Sequence, residues 1–370
     1  MYTPERNGGK SMKIGILSMQ KILNYGSFLQ AFSLKKQFEN RGHDVYFIDI
    51  EPGRMICSVE VEKINIRDKF DHYFLKRIEN YLLDKRMSQI HIADYEKYLE
   101  TGKHLDEGDR FDIAVIGSDE VFNATAPSRW GFTTQLFGNI KNADRVVTYA
   151  ASCGSTTLDS VRTYGIEKDI RVALQNVGML SVRDQNTYEF VQGITERRAE
   201  INVDPVFLTD YDSLIKLPKR GKPYLLVYAY GNRINDESEI EAIKKYAKKR
   251  NLEILCVGMQ QRWCHHNIAA NAFELLGYVK NAECIVTDTF HGTVFSIKYN
   301  KKFVSLIRES NQQKLGGLLR QFGLYDRAVF DMSTLGSMID KAIDYKKVNL
   351  IIQNEQEKSK EYLDTVCRKA

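Results

Sequence analysis

Short apolar runs alternate along the chain with longer segments whose apolar residues recur every three or four positions. The short runs are typical of buried strands, and the longer segments are typical of amphipathic helices. The predicted strands of the first half are KIGILSM, HDVYFIDI, FDIAVIGSD, VVTYAASCG, GMLSVRD and INVDPVF. Those of the second half are YLLVYAY, LEILCVGM, CIVTDT and KKFVSLI. Near-continuous apolar strands separated by helices predict parallel sheets that are covered on both faces.

A polar and basic stretch, TDYDSLIKLPKRGKP, separates the two halves and marks a domain boundary. The sequence therefore predicts an α/β protein with two Rossmann-like, doubly wound parallel-sheet domains that face a cleft. We expect the N-terminal domain to span 12–210, with a helical insertion near 67–98. We expect the C-terminal domain to span 220–345. A last helix over 346–370 is expected to pack back on the N-terminal domain.

Composition and charge narrow the class of ligand. Of the 370 residues, 43% are hydrophobic and 27% are charged, which is typical of a globular protein. The formal net charge of +5 is mixed in sign. It suits a small anionic substrate or an anionic surface and does not indicate a nucleic acid partner. The sequence shows neither an apolar span nor a signal-peptide core, so we expect a cytoplasmic location.

The six cysteines form no CxxC pair, and several lie inside apolar runs. This usage predicts buried, reduced thiols. Cys264 is followed by His265 and His266, but the three residues lack the spacing of metal ligands, so no metal site is expected.

Polar residues follow several of the predicted strands. Parallel sheets bind ligands at the carboxyl ends of their strands, so these residues are candidates for the walls of a site. The candidates for substrate binding are Asn24, Tyr25, Gly26, Ser118, Asp119, Asn123, Ser152, Asp288, Thr289 and Gly292. Arg183 and His291 add a fixed cation and a titratable imidazole. Hydroxyls, amides, a cation and an imidazole together suit an anionic donor and a polyhydroxyl acceptor.

Each candidate also has a structural alternative. These are turn positions for Gly26, Gly117 and Gly292, helix N-caps for Asp119 and Asp288, and an ion pair of Arg183 with Asp184 or Asp204. No GxGxxG segment and no P-loop is present, which disfavours a dinucleotide or nucleoside triphosphate site. Asp49 ends the second predicted strand, where a ribose-binding carboxylate would stand, but the accompanying glycines are missing.

Six segments occur in a characteristic order: IGILSMQKILNYGSFLQAFSL, FDIAVIGSDEVFN, VTYAASCG, LSVRD, VDPVFL and IVTDTFHGTVFSIKYNKKFVSL. In that order they resemble the successive motifs of the polysaccharide pyruvyl transferase family, from about Met12 to about Arg327. The resemblance implies a glycosyltransferase-B-like arrangement. It implies transfer of a pyruvyl group from phosphoenolpyruvate to a sugar of a surface or capsular polysaccharide, which forms a ketal. Such chemistry belongs to a bacterial exopolysaccharide pathway and requires phosphoenolpyruvate as a co-substrate, without a redox cofactor or a metal.

The resemblance also implies roles for two residues. Arg183 and His291 match family positions and are implied as catalytic residues. Arg183 would hold the carboxylate or phosphate of the donor, and His291 would act as acid and base. Some family members carry an arginine two residues before the histidine, where this chain has Thr289. The replacement cations that we consider are Arg308, Lys314 and Arg262.

The remaining candidates would bind phosphate or sugar. Helix N-termini after Gly26 and Gly292 would stabilise phosphate, while Asp119 and Asn123 would position sugar hydroxyls. The implied acceptor is a sugar or a lipid-linked oligosaccharide. A lipid-linked acceptor would bring the protein to a membrane surface, where the basic run KLPKRGKP would help, although such a run is also typical of a solvated linker.

Two other functions remain open on the same fold. One is a sugar-nucleotide-dependent glycosyltransferase, for which the loop QQRWCHHN would form part of a nucleotide pocket. The other is a non-catalytic polysaccharide-assembly protein, which is supported by the absence of an arginine at Thr289.

Overall fold

The computed structural model describes residues 11–56, 74–231 and 233–368. The chain divides into two compact units. Unit 1 contains the described residues before Val59, the segment Tyr95–Thr209 and the C-terminal segment from Ile352. Unit 2 contains Glu60–Asp94, of which the structure describes 74–94, together with Asp210–Ile351.

The strands are short, apolar and mostly buried, as expected for parallel strands covered by helices. Their bounds are β1 (Lys13–Leu17), β2 (Asp44–Phe47), β3 (Phe111–Ile116), β4 (Ala143–Thr148), β5 (Val177–Met179), β6 (Ser181–Val182), β7 (Glu200–Ile201), β8 (Tyr224–Tyr228), β9 (Glu253–Val257), β10 (His266–Ile268), β11 (Cys284–Thr287), β12 (Lys302–Leu306) and β13 (Ala328–Val329).

Helices connect most of these strands, and several begin at a side-chain cap. Their bounds are α1 (Tyr25–Glu39), α2 (Phe74–Asp94), α3 (Leu158–Thr163), α4 (Glu167–Leu174), α5 (Gln185–Thr195), α6 (Glu237–Lys249), α7 (Ala272–Asn281), α8 (Phe290–Lys298), α9 (Gln312–Gln321), α10 (Leu335–Asp340) and α11 (Tyr345–Arg368). A π-helical turn, Tyr95–Leu99, follows α2.

The main sheet of unit 1 has the strand order β2-β1-β3-β4-β5, and every pair in it is parallel. This is a doubly wound order in which the connections reverse direction between β1 and β3. Helix α1 is buried along almost its whole length. The ring of its Phe28 packs on the ring of Tyr95, with centroids 5.3 Å apart. The start of α1 and the turn after β3 therefore lie at the reversal point.

The sheet of unit 2 has the order β10-β9-β8-β11-β12-β13 and is also entirely parallel. This is the Rossmann order, with its reversal between β8 and β11. The residues that follow β11 include Asp288 and His291. The prediction of an α/β protein with doubly wound parallel sheets is confirmed.

The pattern of strands does not specify to which unit helices α2 and α11 belong. Sequence analysis assigned the helical insertion to the N-terminal domain, whereas α2 groups with unit 2. The amide of Ala272 donates to Asp94 Oδ2 (3.1 Å), and Gln260 Nε2 donates to Asp84 Oδ1 (2.7 Å). These bonds anchor α2 to unit 2.

The C-terminal part of α11 groups with unit 1 from Ile352 onward. Tyr362 donates its hydroxyl to Thr148 O (2.9 Å), and Ser359 Oγ accepts from the amide of Val203 (3.1 Å). These bonds place buried polar groups of α11 on the end of β4 and on the segment after β7. None of the helices in the described part of the chain is long and apolar enough to cross a bilayer.

Candidate functional site

Loops after the strands of unit 1 bring together a set of polar side chains, which we call the serine–aspartate cluster. Its members are Ser27, Asp119, Ser152, Arg183, Asp184 and Asp204. Ser27 Oγ, in the first turn of α1, donates to Asp119 Oδ2 (2.7 Å). Ser152 Oγ donates to Asp184 Oδ2 (3.1 Å). The amide of Ser152 also donates to the carbonyl of Asp119 (2.9 Å), which ties the loops after β3 and β4 together.

Arg183 lies at the centre of this cluster and is only 2% exposed. Its guanidinium lies 3.4 Å from Asp204, 3.6 Å from Asp119 and 3.9 Å from Asp184. Burial by itself lowers the pKa of Arg183, but the three carboxylates outweigh that effect and raise the pKa. The guanidinium therefore stays charged, and negative charge exceeds positive charge around it.

This arrangement changes the expected role of Arg183. An anionic donor at Arg183 would meet three carboxylates, and its interaction with the guanidinium would be largely offset by repulsion. The sequence alternative of an ion pair with Asp184 or Asp204 describes the observed contacts better than an anion clamp. The sequence did not indicate that Asp119 also faces the guanidinium.

Asp119 has a backbone conformation that is uncommon for a residue other than glycine. Its φ is +73°, in a left-handed region that costs a non-glycine residue roughly 1–3 kcal/mol. The hydrogen bond from Ser27 and the ion pair with Arg183 hold the carboxylate in place. Because its side chain keeps 14% of its surface exposed, the carboxylate can still accept a hydrogen bond from a ligand hydroxyl.

Three other candidates of unit 1 have structural roles at the start of α1. Asn24 is the N-cap, and its Oδ1 accepts from the amide of Gly26 (2.7 Å). Tyr25 and Gly26 are buried. The amide of Gly26 is thus already bonded to the cap and is not open to phosphate.

Ser118 and Asn123 likewise form hydrogen bonds to other groups of the protein. Ser118 is fully buried, and its amide donates to Gln30 Oε1 (3.2 Å). Asn123 Nδ2 donates to Glu120 Oε2 (2.7 Å), while its Oδ1 accepts from Thr156 Oγ1 (2.8 Å). These bonds fix the loop that carries Asp119 and do not point to direct contact with a sugar.

A second cluster forms in unit 2 and is called the arginine–histidine cluster. Its members are Arg233, Asp288, His291 and Arg308. Asp288 follows β11 and is fully buried, and the Nε atoms of Arg233 and Arg308 lie 3.7 Å and 3.6 Å from its Oδ2. These distances are longer than a hydrogen bond. The two guanidinium groups therefore converge on one buried carboxylate without being tightly bonded to it.

Burial raises the pKa of Asp288, and the two arginines oppose this effect without cancelling it. Arg308 Nη2 also pairs with Glu239 (2.9 Å), and Arg233 Nη2 donates to Ser310 Oγ (3.0 Å). The side chains of Arg233 and Arg308 keep 31% and 26% of their surface exposed. Unlike the buried Arg183, both arginines therefore keep part of their side chains exposed.

His291 is the second residue of α8 and is buried. Its ring lies 5.4 Å from the ring of Phe290 and 6.0 Å from that of Phe295, measured between centroids. The position three residues after Asp288 places it at the same strand end. An imidazole, a buried carboxylate and two guanidiniums are thus carried by the ends of β8, β11 and β12.

Thr289 and Gly292 shape the start of α8. Thr289 is the N-cap, and its Oγ1 accepts from the amide of Gly292 (2.9 Å). A Cβ on Gly292 would lie 2.1 Å from Thr287 Oγ1 and 2.7 Å from Tyr228 Cδ1. Gly292 therefore permits close packing of α8 on the sheet, and Thr289 caps the helix.

Arg233 is the member of this cluster that sequence analysis missed. It follows β8, so the rule that ligands bind at strand ends could have identified it. Of the three cations that were considered as replacements for an arginine at Thr289, Arg308 pairs with Asp288. Lys314 lies on α9, and Arg262 lies on the loop after β9.

The loop considered for a nucleotide pocket is largely bonded to itself and to its neighbours. Gln261 N and O bond to the side chain of Asn267, and Gln261 Nε2 donates to Tyr230 O (2.8 Å). Trp263 Nε1 donates to Ile234 O (2.9 Å). These bonds leave the loop with fewer polar groups to recognise a base or ribose than its sequence suggested.

Comparisons with known proteins agree with this fold. A family model described as polysaccharide pyruvyl transferase matches residues 24–310, which is more than half of the chain. A search of curated proteins gave no match.

Solved structures similar to the chain include the glycotransferase of kitacinnamycin, with a TM-score of 0.51 and 10% identity over 97% of this chain and 99% of that one. The UDP-GlcNAc 2-epimerase from Methanocaldococcus jannaschii has a TM-score of 0.50 and 12% identity over 97% and 100%. Arabidopsis thaliana UGT89C1 complexed with UDP-L-rhamnose has a TM-score of 0.50 and 10% identity over the same shares. At such low identity, these likenesses show the glycosyltransferase-B-like fold alone.

Proposed function

Since this chain belongs to the polysaccharide pyruvyl transferase family, we propose that it transfers a pyruvyl group from phosphoenolpyruvate to two hydroxyls of a sugar in a polysaccharide. The products are a pyruvate ketal and phosphate. The observation that carries the proposal is the pair of partly exposed guanidiniums that converge on Asp288, three residues before His291, in unit 2. They supply an anion site although the chain has Thr289 in place of an arginine.

The proposed reaction begins with protonation of the methylene carbon of phosphoenolpyruvate, which produces an oxocarbenium-like centre at C2. One sugar hydroxyl attacks C2, phosphate leaves, and a second hydroxyl closes the ketal. One of the two hydroxyl protons balances the proton added to the methylene carbon, and the other leaves with phosphate. The enzyme must therefore hold an anion, move protons and orient a diol.

In this proposal the donor binds to the arginine–histidine cluster. Arg233 and Arg308 hold the phosphate or carboxylate, because guanidiniums make forked, charge-assisted hydrogen bonds to such groups. Asp288 orients both guanidiniums from behind. His291 is the acid and base, since a neutral imidazole carries one nitrogen that donates a proton and one that accepts a proton.

The acceptor binds to the serine–aspartate cluster. Asp119 and Asp184 accept hydrogen bonds from sugar hydroxyls, and Ser152 adds a hydroxyl of its own. Arg183 acts as a positioning residue, because it holds the two carboxylates together against their mutual repulsion. An excess of negative charge at this cluster also disfavours binding of the anionic donor there.

The test is the melting temperature of the protein with millimolar phosphoenolpyruvate, compared with the same concentration of phosphate. A ligand at about 100 times its dissociation constant adds roughly 2.7 kcal/mol of stability, which should raise the melting temperature by a few degrees. The rise should exceed that given by phosphate and should shrink in Arg308→Lys. No rise with phosphoenolpyruvate, together with a rise with UDP or GDP, would replace this proposal by a sugar-nucleotide-dependent transferase.

A further inference from the structure

Unit 1 contains a cavity of about 260 Å³ that none of the roles above uses. It lies where β1 and β2 end, and its walls include Gln20, Lys21, Asp49, Arg129 and Trp130. The volume is slightly below the roughly 300–1,000 Å³ that is typical of sites for drug-sized ligands. A cavity of this size suits a ligand of about one sugar ring.

The walls of the cavity are held by a network of hydrogen bonds between two loops. The amide of Gly53 donates to Trp130 O (2.7 Å), and Arg54 and Phe132 exchange two backbone bonds of 2.8 Å. Gln135 Oε1 accepts from the amide of Glu51 (2.9 Å). A cavity whose loops are already bonded in this way binds its ligand with little loss of conformational entropy.

The approach of these two loops requires glycine at two positions. A Cβ on Gly53 would lie 1.9 Å from the carbonyl oxygen of Phe132. Gly131 has a φ of +67°, and a Cβ there would lie 2.7 Å from the carbonyl oxygen of Arg54. The loops around the cavity therefore depend on a backbone geometry that most side chains would prevent.

The chemistry of the walls matches a sugar. Trp130 offers an aromatic surface for the C–H face of a ring, and the guanidinium carbon of Arg129 lies 5.9 Å from its centroid. Lys21 Nζ and Asp49 Oδ1 form an ion pair of 2.6 Å, and both side chains are about half exposed. Such a pair presents a donor and an acceptor side by side, as two vicinal hydroxyls require.

The cavity is close to the serine–aspartate cluster along a short series of hydrogen bonds. Gln20 Oε1, in the cavity wall, accepts from the amide of Ser18 (3.0 Å), and Ser18 Oγ donates to Ser118 O (3.1 Å). The amide of Asp119 in turn donates to Ser118 Oγ (2.7 Å). Ser18 and Ser118 are therefore the only two residues in this series between Gln20 in the cavity wall and Asp119 in the cluster.

We propose that the cavity binds a sugar residue of the acceptor, next to the one whose hydroxyls bind to the serine–aspartate cluster. This inference rests on the proposed function and deepens it, because it makes the preferred acceptor an oligosaccharide or polysaccharide of at least two sugar units. Asp49 and Lys21 contact hydroxyls of the neighbouring sugar, and Trp130 stacks on its ring.

The test uses the full chain, labelled with a fluorophore, on an array of bacterial surface glycans. We compare the wild type with Asp49→Asn and Trp130→Ala. Asp44→Asn is the matched control, because Asp44 pairs with Lys103 at the opposite end of the same strand, β2. The wild type and Asp44→Asn should bind glycans of two or more sugars. Asp49→Asn and Trp130→Ala should bind them roughly tenfold more weakly.

A second measurement places the glycan at the cavity without relying on Trp130→Ala, which could fail to fold. The chain has two tryptophans, so Trp263→Phe leaves Trp130 as the sole indole fluorophore. The array glycan that binds best should change this fluorescence saturably, and Asp49→Asn should weaken the change. Absence of array binding by the wild type, or equal binding by Asp49→Asn, would overturn the inference.

The outcome can be separated from that of the proposed function. If phosphoenolpyruvate raises the melting temperature but glycan binding does not need Asp49 or Trp130, the cavity inference alone fails. If phosphoenolpyruvate has no effect while glycan binding needs Asp49, the donor assignment fails and the sugar site stands.

Discussion

The serine–aspartate cluster and the arginine–histidine cluster occupy the same place in two sheets of the same kind. Each lies where parallel strands end, at the point where the order of connections reverses. In unit 1 one buried guanidinium faces three carboxylates, whereas in unit 2 two partly exposed guanidiniums converge on one buried carboxylate, and one of them also pairs with Glu239. Two sheets of the same kind therefore carry different charge at their strand ends, and this difference of charge distinguishes the two clusters.

The two kinds of arginine should differ first in stability. Arg183→Met should lower the free energy of unfolding by about 3–5 kcal/mol, because it leaves three close carboxylates without their cation. Arg308→Met should cost about 1 kcal/mol, since Arg308 is partly exposed and Arg233 still faces Asp288. Urea unfolding of both variants measures the difference. Equal losses would mean that the two arginines are not distinguished by burial.

Removal of the imidazole should have the next largest effect. His291→Ala should lower turnover by about 10²-fold, because proton transfer to the methylene carbon loses its acid. The measurement is the pyruvate content of polysaccharide isolated from the source organism and incubated with enzyme and donor. His266→Ala, an exposed histidine on β10 of the same unit, is the control and should keep wild-type turnover. Normal turnover by His291→Ala would disprove the acid–base role.

Replacing either arginine that is proposed to hold the donor by lysine should have a smaller effect. Arg308→Lys and Arg233→Lys should each raise the KM for phosphoenolpyruvate roughly tenfold, because an ammonium cannot reproduce a guanidinium fork. Arg250→Lys is the matched control. Arg250 pairs with Asp340 and lies between the end of α6 and the start of β9. It is therefore at the N-terminal end of the strand, whereas the cluster lies at the C-terminal ends of the strands. A wild-type KM in both cluster variants would remove the anion site from unit 2.

The smallest effect should be seen in the pH dependence of stability. The raised pKa of Asp288 means that the folded state binds this proton more tightly than the unfolded state does. Its contribution to stability is therefore lost as the pH rises from about 4 through the folded pKa. The stability of the wild type relative to Asp288→Asn should fall over that range, by less than about 1.4 kcal/mol per pH unit.

Asp331 offers a control of opposite sign for this experiment. It is an exposed N-cap whose pKa is lowered by the hydroxyl of Ser333, so its contribution is lost as the pH falls. The stability of the wild type relative to Asp331→Asn should therefore rise with pH. Differences of the same sign for both variants would contradict the assignment of a raised pKa to Asp288.

The fold was largely readable from the sequence, because most of its strands are apolar runs with a strong local pattern. Strands such as β1, β3 and β11 are nearly continuous apolar runs, as is typical of a parallel sheet that is covered on both faces. Sequence analysis missed β10 and β13, which have three and two residues at the sheet edges. A strand of two or three residues is too short to show a hydrophobic pattern in the sequence, and its pairing with the neighbouring strand defines it.

The candidate site was readable only in part. The sequence determined which polar residues stand at strand ends, and so it indicated Asp119, Arg183, Asp288 and His291 as candidates for a site. The tertiary structure alone decided their surroundings: three carboxylates around Arg183, and two guanidiniums around Asp288. Strand ends follow from local hydrophobic pattern, whereas the charge around a side chain depends on loops that are distant in the sequence and meet only when the sheet forms.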